Sequence, residues 1–109
     1  MLTYKRNISN KFGAKRTYSE GLGRWFASRK ECMRGEQLYL LERGGVISNL
    51  EFQPKFVLSK DPKITYSADF KYDENGVSVV EDTKGLLLRE TRVKLAWLKQ
   101  LTGIEVKIV

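Results

Sequence analysis

Residues 64–84 read ITYSADFKYDENGVSVVEDTK, and this stretch decides the fold. Asn75-Gly76 between two strand-like runs, 64–72 and 77–84, is the strongest short-range signal for a hairpin with a two-residue turn. The second run then breaks its own pattern. Val77, Val79 and Val80 belong in a core, yet Glu81, Asp82 and Lys84 follow directly. Ionised side chains are costly to bury unless paired or bound to metal.

A two-residue turn at Asn75-Gly76 opposes residues whose numbers sum to 151, which sets Asp69 against Asp82 and Ser67 against Lys84. Opposed residues share a face, as do residues two apart on one strand. The hairpin thus gathers Asp69, Asp82 and Lys84 into one patch. Facing carboxylates repel, and a bridging cation or shared proton relieves them. Two carboxylates with a lysine beside them suit phosphoryl-transfer chemistry on Mg²⁺. A Lys84 salt bridge to both acids at an exposed edge fits the spacing equally well. A four-residue loop keeps the shared face, whereas a three-residue loop or a bulge turns Glu81 inward instead.

Outward from the hairpin, Ser28-Arg-Lys-Glu31 is a capping box that opens a helix running to about Arg43. Gly44-Gly45 ends it. Residues 46–58 alternate Leu50, Phe52 and Phe56 with polar side chains, a strand interrupted near Pro54. A second helix is expected from about Glu90 to Thr102, with Val93, Trp97 and Leu101 on one stripe and Leu98 beside it. Gly103 closes it, and residues 104–109 make a short last strand. The expected order is helix, three strands, helix, strand: an α/β domain with a mixed sheet.

The chain has no histidine. That excludes Ser-His-Asp and Cys-His catalysis and histidine-metal nucleases. The single Cys32 reads as a helix residue, and one cysteine makes no internal disulfide. No apolar run approaches a membrane span, no secretory signal opens the chain, and a cytoplasmic location is expected. Charge is uneven. Residues 1–30 carry eight cations (Lys5, Arg6, Lys11, Lys15, Arg16, Arg24, Arg29 and Lys30) against Glu20 alone, while residues 31–109 carry twelve of each sign. A basic arm over residues 1–20 on a body from 21 to 109 points to a polyanion such as nucleic acid; a solvated tail is the plainer reading.

Asp69 followed after a hairpin by Asp82-Thr83-Lys84 resembles the PD-(D/E)XK nuclease signature, with Ala68 where the motif has proline. More closely, the chain resembles a family of small phage-encoded proteins of uncharacterised function assigned to that fold. The matching stretches are Asn10-Lys-Phe-Gly-Ala-Lys15, Ser28-Arg-Lys-Glu31, Leu50-Glu-Phe-Gln-Pro-Lys-Phe56, Ala68-Asp-Phe70 and Val80-Glu-Asp-Thr-Lys-Gly85. The resemblance implies a restriction-endonuclease-like core with Asp69, Asp82 and Lys84 as its triad. It adds Glu31 as a metal ligand beside the two aspartates, and Gln53 near the site. Gly35 departs from the larger residue the family leads one to expect. The implied activity is Mg²⁺-dependent cleavage of DNA, with Mn²⁺ as substitute and branched DNA as substrate by analogy with junction-resolving relatives. Two coordinated cuts would need a homodimer. The alternative is a non-catalytic nucleic-acid-binding or protein-interaction module that keeps the fold.

Overall fold

In the computed structural model, residues 15–83 and 87–109 are described. Contacts divide the chain into two units, Met1–Leu40 and Leu41–Val109. The boundary at residue 20 marks a change in charge and falls inside a small antiparallel hairpin of β1 (Thr17–Ser19) and β2 (Arg24–Phe26). Alternation along these strands buries Ser19 and Phe26 and turns Tyr18 and Trp25 outward, where their rings meet edge to face at 5.3 Å. The buried Ser19 hydroxyl donates to Glu36 at 2.7 Å and accepts the Leu22 N–H at 3.1 Å.

The first helix, α1 (Arg29–Arg43), starts where the capping box places it: Ser28 Oγ accepts the Glu31 N–H at 3.0 Å. Its end is a Schellman arrangement. Gly45, at φ 80°, donates to the Glu42 carbonyl, and Val46 donates to that of Leu41.

Five strands, not three, then precede the second helix. They are β3 (Ser48–Phe52), β4 (Lys55–Lys60), β5 (Lys63–Ser67), β6 (Phe70–Glu74) and β7 (Val77–Asp82). The run 64–72, read as one strand, breaks at Ala68-Asp69, and its partner breaks at Gln53-Pro54. Across the break the register is nevertheless kept, from Glu51↔Lys71 to Val57↔Thr65. Phe56↔Tyr66 in β4–β5 and Phe52↔Phe70 in β3–β6 each sum to 122. Between them Gln53 N–H donates to the Asp69 carbonyl at 2.8 Å, and Ala68 N–H to that of Pro54 at 3.0 Å. The two hairpin halves are therefore one antiparallel ribbon, bent where proline removes a donor and Gln53 takes φ 54°.

The main sheet runs in the order β3-β6-β7-β8, with β8 (Lys107–Ile108) parallel to β7 and the other neighbours antiparallel. The domain is α/β with a mixed sheet. One core gathers Leu58, Tyr66, Ala68, Val80 and Leu98, flanked by Phe56, Ile64, Leu95, Trp97, Ile104 and Val106. The second helix, α2 (Arg89–Thr102), ends at Gly103 with φ 79°. Leu98 is its buried residue, whereas Val93 and Leu101 are exposed. Of the expected residues Trp97 and Leu98 pack inward, joined by Leu95, while Val93 and Leu101 do not. Among the described residues no helix is long and apolar enough to cross a membrane.

Candidate functional site

The turn is as the sequence predicts. Asn75 and Gly76 have φ of 54° and 78°, the left-handed pair of a type I′ turn. Pairing from Glu74↔Val77 to Phe70↔Glu81 keeps the expected sum of 151. One residue further the ladder slips. Asp69 N–H donates to the carbonyl of Glu81 at 3.0 Å, the residue that Phe70 already faces. Two residues against one is a β-bulge, and it increases the local bend.

The expected opposition of Asp69 and Asp82 is therefore corrected. Beyond the bulge, Ala68 stands level with Asp82, and side chains change face. Phe70 and Tyr72 lie with Glu81, while Tyr66 and Ala68 lie with Val80 and Asp82. This answers why the strand ends in charge. Glu81 and Asp82 are both fully buried, one on each face, and each receives a buried phenol: Tyr72 donates to Glu81 and Tyr66 to Asp82. Glu81 is thus turned inward and is not an exposed strand residue.

Asp69 is half-buried at the bulge. Its Oδ2 accepts the Thr83 N–H at 2.7 Å and the Thr83 hydroxyl at 2.6 Å, which fixes the carboxylate beside the end of β7. Both aspartates act on the Tyr66 hydroxyl. Burial pushes its pKa far above the usual phenol value, the hydrogen bond and charge of Asp82 push it further, and the charge of Asp69 adds to both.

Glu31 is buried in the first turn of α1, in the first unit, whereas both aspartates belong to the second. Gln53 is exposed and meets Asp69 through backbone alone. Lys84 lies outside the described residues, as do Lys5, Arg6 and Lys11. Lys15, Arg16, Arg29 and Lys30 are exposed; Arg16 lies over the Trp25 ring at 4.8 Å, and half-buried Arg24 over Phe26 at 5.7 Å. Cys32 is buried in α1, its pKa raised by burial and then by Glu36, which leaves it a helix residue and not a thiolate. Tyr66 and Thr83 are the site residues that sequence reasoning missed. Tyr66 falls on the Asp82 face only because of the bulge. Thr83 could have been found, since an Asx-type acceptor one strand away suits a hydroxyl beside a backbone N–H.

Among the described residues, no group of three or more histidine, cysteine, aspartate or glutamate side chains is placed to hold a metal. A small α/β domain with a mixed sheet and a buried acidic strand end is the class these features define. The chain belongs to DUF1064, a family described as protein of unknown function, whose model matches residues 9–103. No curated protein and no solved structure matches it.

Proposed function

We propose that the protein is a Mg²⁺-dependent endodeoxyribonuclease of the PD-(D/E)XK type acting on branched or structured DNA. The observation that carries this reading is the pair of acids where the ribbon bends: Asp82, bonded by the buried hydroxyl of Tyr66, and Asp69, fixed by Thr83 and near enough for its charge to act on that hydroxyl. Two carboxylates acting on one buried group repel each other, and a divalent cation relieves that repulsion.

The donors suit a hard cation. Asp69 and Asp82 offer only carboxylate oxygen, and Asp69 Oδ2 is oriented by Thr83 while Oδ1 accepts no hydrogen bond among the described residues. These two residues would hold Mg²⁺, or Mn²⁺ in its place. A bound ion supplies charge to the scissile phosphate and lowers the pKa of its water. Tyr66 and Thr83 hold the two carboxylates in place. Lys84, next in sequence to Thr83, would offset charge developing in the transition state. Two coordinated cuts would use two chains.

Cations at the start of α1 favour a polyanionic substrate. Arg29 and Lys30 stand in its first turn, where positive charge opposes the helix macrodipole by a few tenths of a kcal/mol. Helix stability does not account for them, and phosphate contact does.

A non-catalytic nucleic-acid module is the second reading. Full burial of Asp82 and its Tyr66 hydrogen bond are also what a structural pair would display. One assay separates the two: nicking of linear, flapped and four-way DNA by wild type and Lys84→Ala, with and without Mg²⁺ or Mn²⁺. Metal-dependent nicking lost in Lys84→Ala supports the nuclease. Binding without nicking in any metal leaves the module.

A further inference from the structure

The second unit carries a basic groove that its nearly balanced charge, eleven cations against ten acids, conceals. An open cleft of about 790 Å³ runs between the start of β5 and the first two turns of α2. Lys63, Arg89 and Lys94 line it against Glu90 alone, and its apolar wall is Ile64, Val93 and Trp97. Among the described residues none of the three cations has an ion-pair or hydrogen-bond partner. Arg89 opens α2, again against the helix dipole. Trp97 is half-buried and packs, with Ile64, on the core that holds Tyr66. The indole is thus anchored at its base and borders the cleft. Two residues along β5 from Ile64 lies the phenol bonded to Asp82.

We infer that this groove seats an unpaired strand of nucleic acid, with a base against Trp97 and phosphates on Lys63, Arg89 and Lys94. Single strands are held in this manner, by cations that follow the backbone and an aromatic face that accepts any base. A duplex buries its base faces in its own stack and offers nothing to Trp97. The excess of positive charge in the cleft disfavours a cationic ligand, and its one tryptophan gives the apolar wall a flat platform. In naming the unpaired arm of a branched substrate, the inference rests on the nuclease reading; strand binding itself does not require cleavage.

The test uses the full chain and fluorescence anisotropy with labelled oligothymidylate and with a blunt duplex, at several salt concentrations. Lys63→Gln/Lys94→Gln changes two cations, one exposed and one half-buried. It should weaken oligothymidylate binding and flatten the salt dependence by up to about 0.7 per lost contact, so up to about 1.4. Trp97→Ala should weaken it about five- to a hundredfold, and Trp97→Phe, which keeps a stacking face and the core packing, should restore most of that. Equal losses for strand and duplex, or no change in the lysine variant, overturn the groove. Nicking by wild type, measured beside strand binding by the groove variants, keeps the two questions apart. If wild type cuts nothing yet the groove variants lose strand binding, the nuclease falls and the groove stands; if wild type cuts and the groove variants bind as before, the reverse holds.

Discussion

Two tyrosines a few residues apart make the same bond for different ends. Tyr72 and Tyr66 each donate to a fully buried carboxylate, but on opposite faces of β7. Removing either hydroxyl takes a donor away from a fully buried acid. Tyr66→Phe and Tyr72→Phe should therefore each lose about 1.5–3 kcal/mol in urea unfolding, the worth of a hydrogen bond to a charged group. Only Tyr66→Phe should also slow the nicking proposed above, because Tyr66 is bonded to Asp82 whereas Tyr72 is bonded to Glu81 on the other face. Equal effects on cleavage would dissolve the distinction between the faces. Tyr66 also sets a pH dependence. Its native pKa is raised above the ordinary value of 10.0, so the folded state holds a proton that the unfolded state gives up above that pH. The stabilisation is complete below pH 10 and declines as pH rises beyond it. The stability gap between wild type and Tyr66→Phe should accordingly narrow in alkaline melts.

At the scale of elements, the hairpin turn is the best-determined feature. Gly76 sits at φ 78° with open space around the position of a Cβ, so Gly76→Ala meets no clash and is opposed by backbone geometry alone. A loss of about 1–2 kcal/mol is expected by denaturant titration; a neutral substitution would mean the turn relaxes to another type. Turn chemistry is local, and so are caps, which is why Asn75-Gly76, Ser28, Gly45 and Gly103 were legible from residue types alone. The register was legible as far as Phe70↔Glu81. What escaped was non-local. Nothing in ITYSADFKY marks the bulge at Asp69, because it depends on the chain at Gln53-Pro54 lying alongside. One inserted residue then moved Tyr66 onto the Asp82 face and put Ala68 level with Asp82 in place of Asp69. The inward face of α2 was legible at Trp97 and Leu98 but not at Val93 and Leu101, which are as apolar as core residues yet exposed, Val93 on the groove.

For the whole molecule, the distribution of charge is the strongest clue to a partner. Deleting residues 1–14 removes Lys5, Arg6 and Lys11 and no acid, and leaves the β1–β2 hairpin whole. If all three cations touch duplex phosphates, the slope of log K against log[salt] should flatten by about 0.9 for each. Cleavage at low salt should persist, since such contacts position the substrate and leave chemistry to the site. An unchanged slope would reduce the arm to a solvated tail and leave the groove beside Trp97 as the nucleic-acid surface.

The bent ribbon has a consequence for motion. A kink at proline, with a left-handed residue before it, has the look of a hinge. Here the amides of Gln53, Ala68 and Asp69 all donate across the kink or onto β7, and the register is the same before and after it. Opening the bend would break those bonds together, so the ribbon should behave as a single stiff lever. In hydrogen–deuterium exchange these three amides should be protected with the strands on either side, not with the loops. A lever fixed at its corner carries Asp69 as part of its frame, so a ligand arriving there meets an acid already in position.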